Sequence, residues 1–151
     1  MSSELKKRNI PFSPPDMSEE EARMATEAIL SGWITTGPKT KEFERKIAEY
    51  CGSDKAVCLN SATASMEMIL RVLGVGHGDE VIVQSFTFCA SSNPITYLGA
   101  TPVFIDSERD TWNMDPQLLE EAIKDRIAKT GKKPKAIIPV ALYGMPYKIE
   151  E

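Results

Sequence analysis

Ser61, Ala62 and Thr63 lie between an apolar, β-prone run at residues 55–59 and an apolar stretch at residues 66–75. That order predicts a strand, a tight turn of small residues and then a helix. Such a turn leaves backbone N–H groups unpaired at the start of the helix, where the peptide dipoles also favour negative charge. The turn is therefore a candidate phosphate cradle. Ser61 or Thr63 could equally cap the helix and bind nothing.

Other residues carry weaker signals. Trp33-Ile34-Thr35-Thr36-Gly37-Pro38 is an irregular loop with an aromatic residue and two hydroxyls, and Trp33 either packs on the core or lines a site. His77 is the only histidine and falls in the glycine-rich turn Gly74-Val75-Gly76-His77-Gly78-Asp79. Those glycines follow a helix and precede a strand, the reverse of the dinucleotide-binding fingerprint. One histidine, with Cys51, Cys58 and Cys89 at spacings that suit no metal, cannot assemble a zinc site. Cys58 is expected as a reduced thiol in an apolar strand.

These residues need elements to position them. Residues 1–17 form an expected N-terminal arm, polar at first and then held extended by Pro11, Pro14 and Pro15. Ser18-Glu19-Glu20-Glu21 is a helix start with a capping box, and Gly32 fits the stop. A second helix is predicted over residues 39–50, with Phe43, Ile47 and Tyr50 on one face and Gly52 closing it. Strands are predicted at 55–59, 80–84, 101–105 and 136–141. Helices fill the intervals: 66–75, from the Ser85-Phe86-Thr87-Phe88 loop to about Leu98, and from Asp115-Pro116 through Leu118, Leu119, Ala122, Ile123 and Ile127. Repeated βαβ units imply an α/β fold, a mostly parallel sheet with helices on both faces. Ligands bind such sheets beyond the carboxyl ends of the strands. The loops at those ends hold Ser61-Ala62-Thr63, Ser85 to Phe88, Asp106, and Leu142-Tyr143-Gly144.

Composition narrows the class. With 42% hydrophobic and 26% charged residues, the 151-residue chain reads as a soluble globular domain. A net charge of −4 gives no basic footprint for nucleic acid. No apolar run approaches membrane-spanning length and no signal peptide is evident, so a cytoplasmic protein is expected.

With the loops placed, the sequence resembles the DegT/DnrJ/StrS family of nucleotide-sugar aminotransferases, which depend on pyridoxal 5'-phosphate. The matching pieces run in family order from about Ile10 to Pro146: Gly32-Trp33-Ile34-Thr35-Thr36-Gly37-Pro38 with Phe43-Glu44; Asn60-Ser61-Ala62-Thr63-Ala64-Ser65; Gly78-Asp79-Glu80-Val81-Ile82; Thr87-Phe88-Cys89-Ala90; Gly99-Ala100-Thr101-Pro102-Val103-Phe104-Ile105-Asp106; and Tyr143-Gly144-Met145-Pro146. The resemblance implies the fold-type I aminotransferase fold, with residues 18–151 as the N-terminal part of the large domain. It implies cofactor binding by the main-chain amides of Ala62 and Thr63 at the phosphate and by Phe88 against the ring. Trp33 and Thr35 would lie on the sugar-nucleotide side. Ala62 stands where the family usually has glycine, which would add strain if the turn needed positive φ. Ala141 stands where many members have histidine.

The activity implied is amino transfer from glutamate to a nucleotide-linked keto-sugar, for polysaccharide or deoxysugar biosynthesis, in a homodimer. The family's pyridine-pairing aspartate and Schiff-base lysine lie downstream of the Tyr-Gly-Met-Pro segment, so no catalytic residue is expected among these 151. Lys132, Lys133 and Lys135 precede the last strand at its far end, and Asp106 matches a structural position. The chain is expected to be inactive alone. A sugar dehydratase of the same family and a non-catalytic binding domain are the competing readings.

Overall fold

Three apolar runs pair side by side because each lacks enough polar residues to face water on either side. In the computed structural model, which describes residues 11–151, they form a wholly parallel sheet in the order β2-β1-β3. The strands are β1 (Glu80–Gln84), β2 (Thr101–Ile105) and β3 (Ala136–Ile138). Five α-helices accompany them among the described residues: α1 (Glu19–Leu30), α2 (Pro38–Cys51), α3 (Ala62–Val72), α4 (Asn93–Tyr97) and α5 (Pro116–Thr130). The chain divides into two compact units, Met1–Cys58 and Leu59–Glu151.

The sheet belongs to the second unit. Alternation along β1 sends Val81 and Val83 to one face, where they pack with Leu70 of α3, Ile95 of α4, Val75 and Ala100. Ile82 points the other way, into a cluster with Ile105 and Met114 that Leu119, Ala122 and Ile123 of α5 cover. Helices thus lie on both faces, as predicted. Leu118 and Ile127, expected in the same α5 stripe, are each 38% exposed.

In the first unit, Ser18 and Glu21 complete the predicted capping box of α1. Gly52 ends α2 in the left-handed conformation that a Cβ would disfavour. Residues 11–17 carry no helix or strand, and the rest of the expected arm, residues 1–10, lies outside the described residues. The face of Phe43, Ile47 and Tyr50 is exposed, and α2 buries only Ala48.

Several expectations need correction. Residues 55–59 form no strand: Val57 is exposed, and the Cys58 amide donates to the Glu44 carboxylate at 2.8 Å instead of joining a ladder. Cys58 is accordingly half-buried outside any strand. The helix predicted over 66–75 starts earlier, at Ala62, and stops at Val72, so the small-residue turn is its first turn. The helix predicted after Phe88 is broken into a 3₁₀ turn, Cys89–Ser91, and the short α4, with Pro94 in its first turn. The last strand stops at Ile138, just before Pro139, which has no N–H to give a ladder.

Candidate functional site

At the start of α3, Ser61 is the N-cap, with extended backbone (φ −161°, ψ 157°) and its hydroxyl accepting the Ala64 amide at 3.2 Å. The Ser61 carbonyl takes the Ser65 amide at 3.1 Å. Those bonds satisfy the third and fourth amides of the helix. The first two, on Ala62 and Thr63, have no acceptor among the described residues. Capping and anion binding are therefore compatible here, because the cap uses a different donor. Ala62 is helical and does not have positive φ, so the alanine carries no left-handed strain. Two free donors at a helix start suit a phosphate.

Phe88 leaves the carboxyl end of β1 and is 75% exposed, so it is not a core side chain. Its backbone is held: the Ser91 amide donates to the Phe88 carbonyl at 2.9 Å, and the Thr87 and Ser91 hydroxyls are bonded at 2.8 Å. The 3₁₀ turn that follows Phe88 packs against α3, so the elements that carry the amides and the aromatic ring are neighbours. A bare ring held on fixed backbone suits one side of a flat aromatic ligand. The donors and the exposed ring fit the phosphate and the pyridine ring of pyridoxal phosphate.

Four residues that the sequence reading passed over build the same rim. Gln84 and Asn113 are completely buried. Gln84 donates to the Phe86 carbonyl at 2.9 Å and accepts the Val140 amide at 3.0 Å. Asn113 accepts the Leu142 amide at 3.0 Å and donates to the Met145 carbonyl at 2.8 Å. Between those anchors Tyr143 takes a left-handed backbone (φ 52°). Trp112 is left-handed as well (φ 62°) and meets Phe86 edge to face at 6.1 Å. Glu108 folds this loop by accepting the Asp110 and Thr111 amides at 2.6 and 2.8 Å and the Thr111 hydroxyl. The Thr111 hydroxyl bond, with those amides and Lys148 3.7 Å away, brings the Glu108 carboxyl down to about 2, although burial opposes the shift. A buried amide at the end of an apolar strand was the only sequence signal for any of these, at Gln84.

Trp33 and Thr35 belong to the other unit, where both line a cleft of about 540 Å³ between α1 and α2. Trp33 lies over the buried Gly37; a Cβ there would fall 2.9 Å from the Trp33 Cβ. A 3.7 Å ion pair between Lys39 and Glu27 joins the two helices at this cleft.

The lysines stand elsewhere. Lys132 and Lys133 border Gly78, Asp79 and Thr101 at the amino end of the strands, and the Lys135 amide bonds the Glu80 carbonyl at 2.7 Å. Phe88 is at the opposite end of β1. Asp106 is spent on the Ser107 amide at 2.8 Å and, at 3.5 Å, on the Ser85 hydroxyl. Among the described residues no group of three or more His, Cys, Asp or Glu could hold a metal, and no helix is long and apolar enough to cross a membrane.

The model of the DegT/DnrJ/EryC1/StrS aminotransferase family matches residues 15–151. EpsN of Bacillus subtilis (strain 168), which bears the name of a pyridoxal phosphate-dependent aminotransferase, is 47% identical over 95% of this chain. The spore coat polysaccharide biosynthesis protein SpsC of the same strain is 41% identical over 93%. The pyridoxal-phosphate form of Spr1654 from Streptococcus pneumoniae, named as a sugar aminotransferase, superposes with a TM-score of 0.80 at 52% identity, over 95% of this chain. The chain spans only 37% of EpsN, 35% of SpsC and 35% of Spr1654.

Proposed function

Because the chain belongs to the DegT/DnrJ/EryC1/StrS aminotransferase family, we propose that the whole protein is a pyridoxal-phosphate-dependent aminotransferase that moves an amino group from glutamate to a nucleotide-linked keto-sugar. The product would serve polysaccharide or deoxysugar biosynthesis, the first of which SpsC carries in its name. A homodimer is the proposed working form. The cytoplasm is the proposed place, where the free thiols of Cys51, Cys58 and Cys89 stay reduced.

The observation that carries the reading is the pair of unclaimed amides on Ala62 and Thr63, on a helix that packs against the turn following the exposed Phe88. When bound, the cofactor supplies a ring that accepts electrons from the substrate carbon. These 151 residues would bind and orient it: Ala62 and Thr63 at the phosphate, Phe88 against one ring face. Trp33 and Thr35 would contact the sugar nucleotide. In the unit that carries Phe88, Lys132, Lys133 and Lys135 lie at the opposite, amino end of the strands, and Lys148 is committed to Asp110 at 3.1 Å and to Glu108. We therefore propose that residues 1–151 alone do not transaminate.

Two assays test this. Full-length protein is offered glutamate and a panel of nucleotide-linked keto-sugars, and amino-sugar product is expected. Residues 1–151 are mixed with pyridoxal phosphate. A visible absorption band that borohydride abolishes, together with amino transfer, would refute the proposed inactivity.

A further inference from the structure

We infer that Gln84 is a positioning residue for the cofactor, acting through the loop that carries Phe88. This rests on the reading of Phe88 as the ring-facing residue.

Gln84 is the last residue of the central strand and is completely buried. A carboxamide is costly to bury unless its oxygen and its nitrogen both find partners. Here both do, and the partners belong to different loops. The nitrogen donates to the carbonyl of Phe86, two residues before Phe88. The oxygen accepts from Val140, beyond Pro139, where the β3 ladder has already ended at Ile138. One side chain therefore replaces the missing ladder and ties the exit of β1 to the exit of β3.

From there the loop has little freedom. The Thr87 amide bonds the Ser85 carbonyl at 3.1 Å, Ser91 holds Thr87 and Phe88, and the Phe86 ring rests against Trp112. An aliphatic residue would fill the same buried volume without joining the two loops. The carboxamide sets where the Phe86-to-Phe88 backbone sits, and hence where the exposed ring is presented.

The test uses full-length protein and pyridoxal phosphate itself, with Kd read by spectroscopic titration. Gln84→Met keeps the volume and removes both bonds. It is expected to raise Kd about tenfold, the size of one lost hydrogen bond. Phe88→Ala is expected to raise Kd too. In the Phe88→Ala background, Gln84→Met should cost less than about twofold more, because its effect passes through the ring.

Gln84→Glu covers the case in which the methionine variant does not fold. An ionised carboxylate still accepts from Val140 but cannot donate to Phe86; the protonated acid does both. Its Kd relative to the unsubstituted protein should be raised at alkaline pH and fall back towards one as pH is lowered. Asp106, bonded to Ser85, is the ionisable side chain with a hydrogen bond to this turn among the described residues, and it is common to both proteins.

If Phe88→Ala leaves Kd unchanged, the reading of Phe88 fails and the inference falls with it. If Phe88→Ala weakens binding while Gln84→Met does not, or if the two add fully, the reading of Phe88 stands and the role of Gln84 is refuted. A pH-independent Kd ratio for Gln84→Glu also refutes it.

Discussion

Arg126 grips Glu80 through two parallel hydrogen bonds, Nε to Oε2 and Nη2 to Oε1, each 2.9 Å long. The pair fastens the last turns of α5 to the first residue of the central strand, with the side chains only 24% and 18% exposed. The bond to Glu80 holds the Arg126 guanidinium above its ordinary value. The amino end of the sheet is thus pinned by a charged fork, and the carboxyl end by the neutral amides of Gln84 and Asn113.

Arg126→Lys should lower the thermal midpoint by roughly a few degrees, because an ammonium cannot reproduce the planar two-bond grip. Lys124→Ala removes an exposed pair with Glu120 and should change it little. Differential scanning calorimetry on both variants checks the contrast. Equal midpoints would show that the fork contributes nothing beyond an ordinary surface pair.

Ile82 is completely buried between α5 and the central strand. Ile82→Ala should cost about 2–5 kcal/mol, and Ile82→Val about 1 kcal/mol, through lost burial and the cavity left behind. Urea unfolding should show a lower midpoint at an unchanged m-value.

Much of this architecture was legible from residue types. Ser18 with Glu21 marks the start of α1, and the apolar runs around Val81, Val103 and Ile137 mark a parallel sheet. Residues 55–59 read as a strand because periodicity reports what a segment buries but not what it pairs with, and its backbone bonds a Glu44 side chain. The exits of the strands were the least legible. Gln84 meets Val140 from 56 residues away, and Asn113 meets Leu142 and Met145 from 29 and 32. No local pattern encodes such distant partners. Trp112 and Tyr143 take conformations that sequence reasoning reserves for glycine. The cofactor roles proposed for Ala62, Thr63 and Phe88 came from ordered motif similarity; local chemistry alone left a phosphate cradle and a helix cap both open at residues 61–63.

Glu108 makes the loop at residues 108–113 acid-sensitive. Its carboxyl is at about 2 in the folded protein against 4.5 for a free side chain. A depressed carboxyl contributes stability that is full above the unfolded value and disappears as pH falls through the folded one. The contribution should therefore fade between pH 4.5 and about 2. Glu108→Gln should be less stable than the unsubstituted protein at pH 6, and the gap should close towards pH 2. Parallel denaturant curves across that range test the sign; a gap that stays constant would show that the charge is irrelevant.

Gly37→Ala tests whether the cleft of the first unit serves the sugar nucleotide. The new Cβ would collide with the Trp33 Cβ at 2.9 Å, so Trp33 must move. If Trp33 contacts substrate, KM for the sugar nucleotide should rise about tenfold, with kcat and the KM for glutamate changed far less. Unchanged KM would remove Trp33 from the substrate side.

Ala62 permits a substitution that separates cofactor binding from folding. It is the first residue of α3, where proline is tolerated and its ring meets no preceding helical carbonyl. Ser61 before it is already extended, as a residue preceding proline prefers to be. Ala62→Pro should therefore leave the thermal midpoint of the cofactor-free protein nearly unchanged while deleting one of the two unclaimed amides. The Kd for pyridoxal phosphate should rise at least tenfold, since hydrogen bonds to a charged acceptor are worth about 1.5–3 kcal/mol. Ser61→Ala should do the reverse. Loss of the bond to Ala64 costs about 0.5–2 kcal/mol of stability, yet both donors remain for the phosphate. A crossed pattern, with affinity lost in one variant and stability in the other, distinguishes an anion cradle from a helix cap. If Ala62→Pro binds the cofactor normally, the phosphate is held somewhere else.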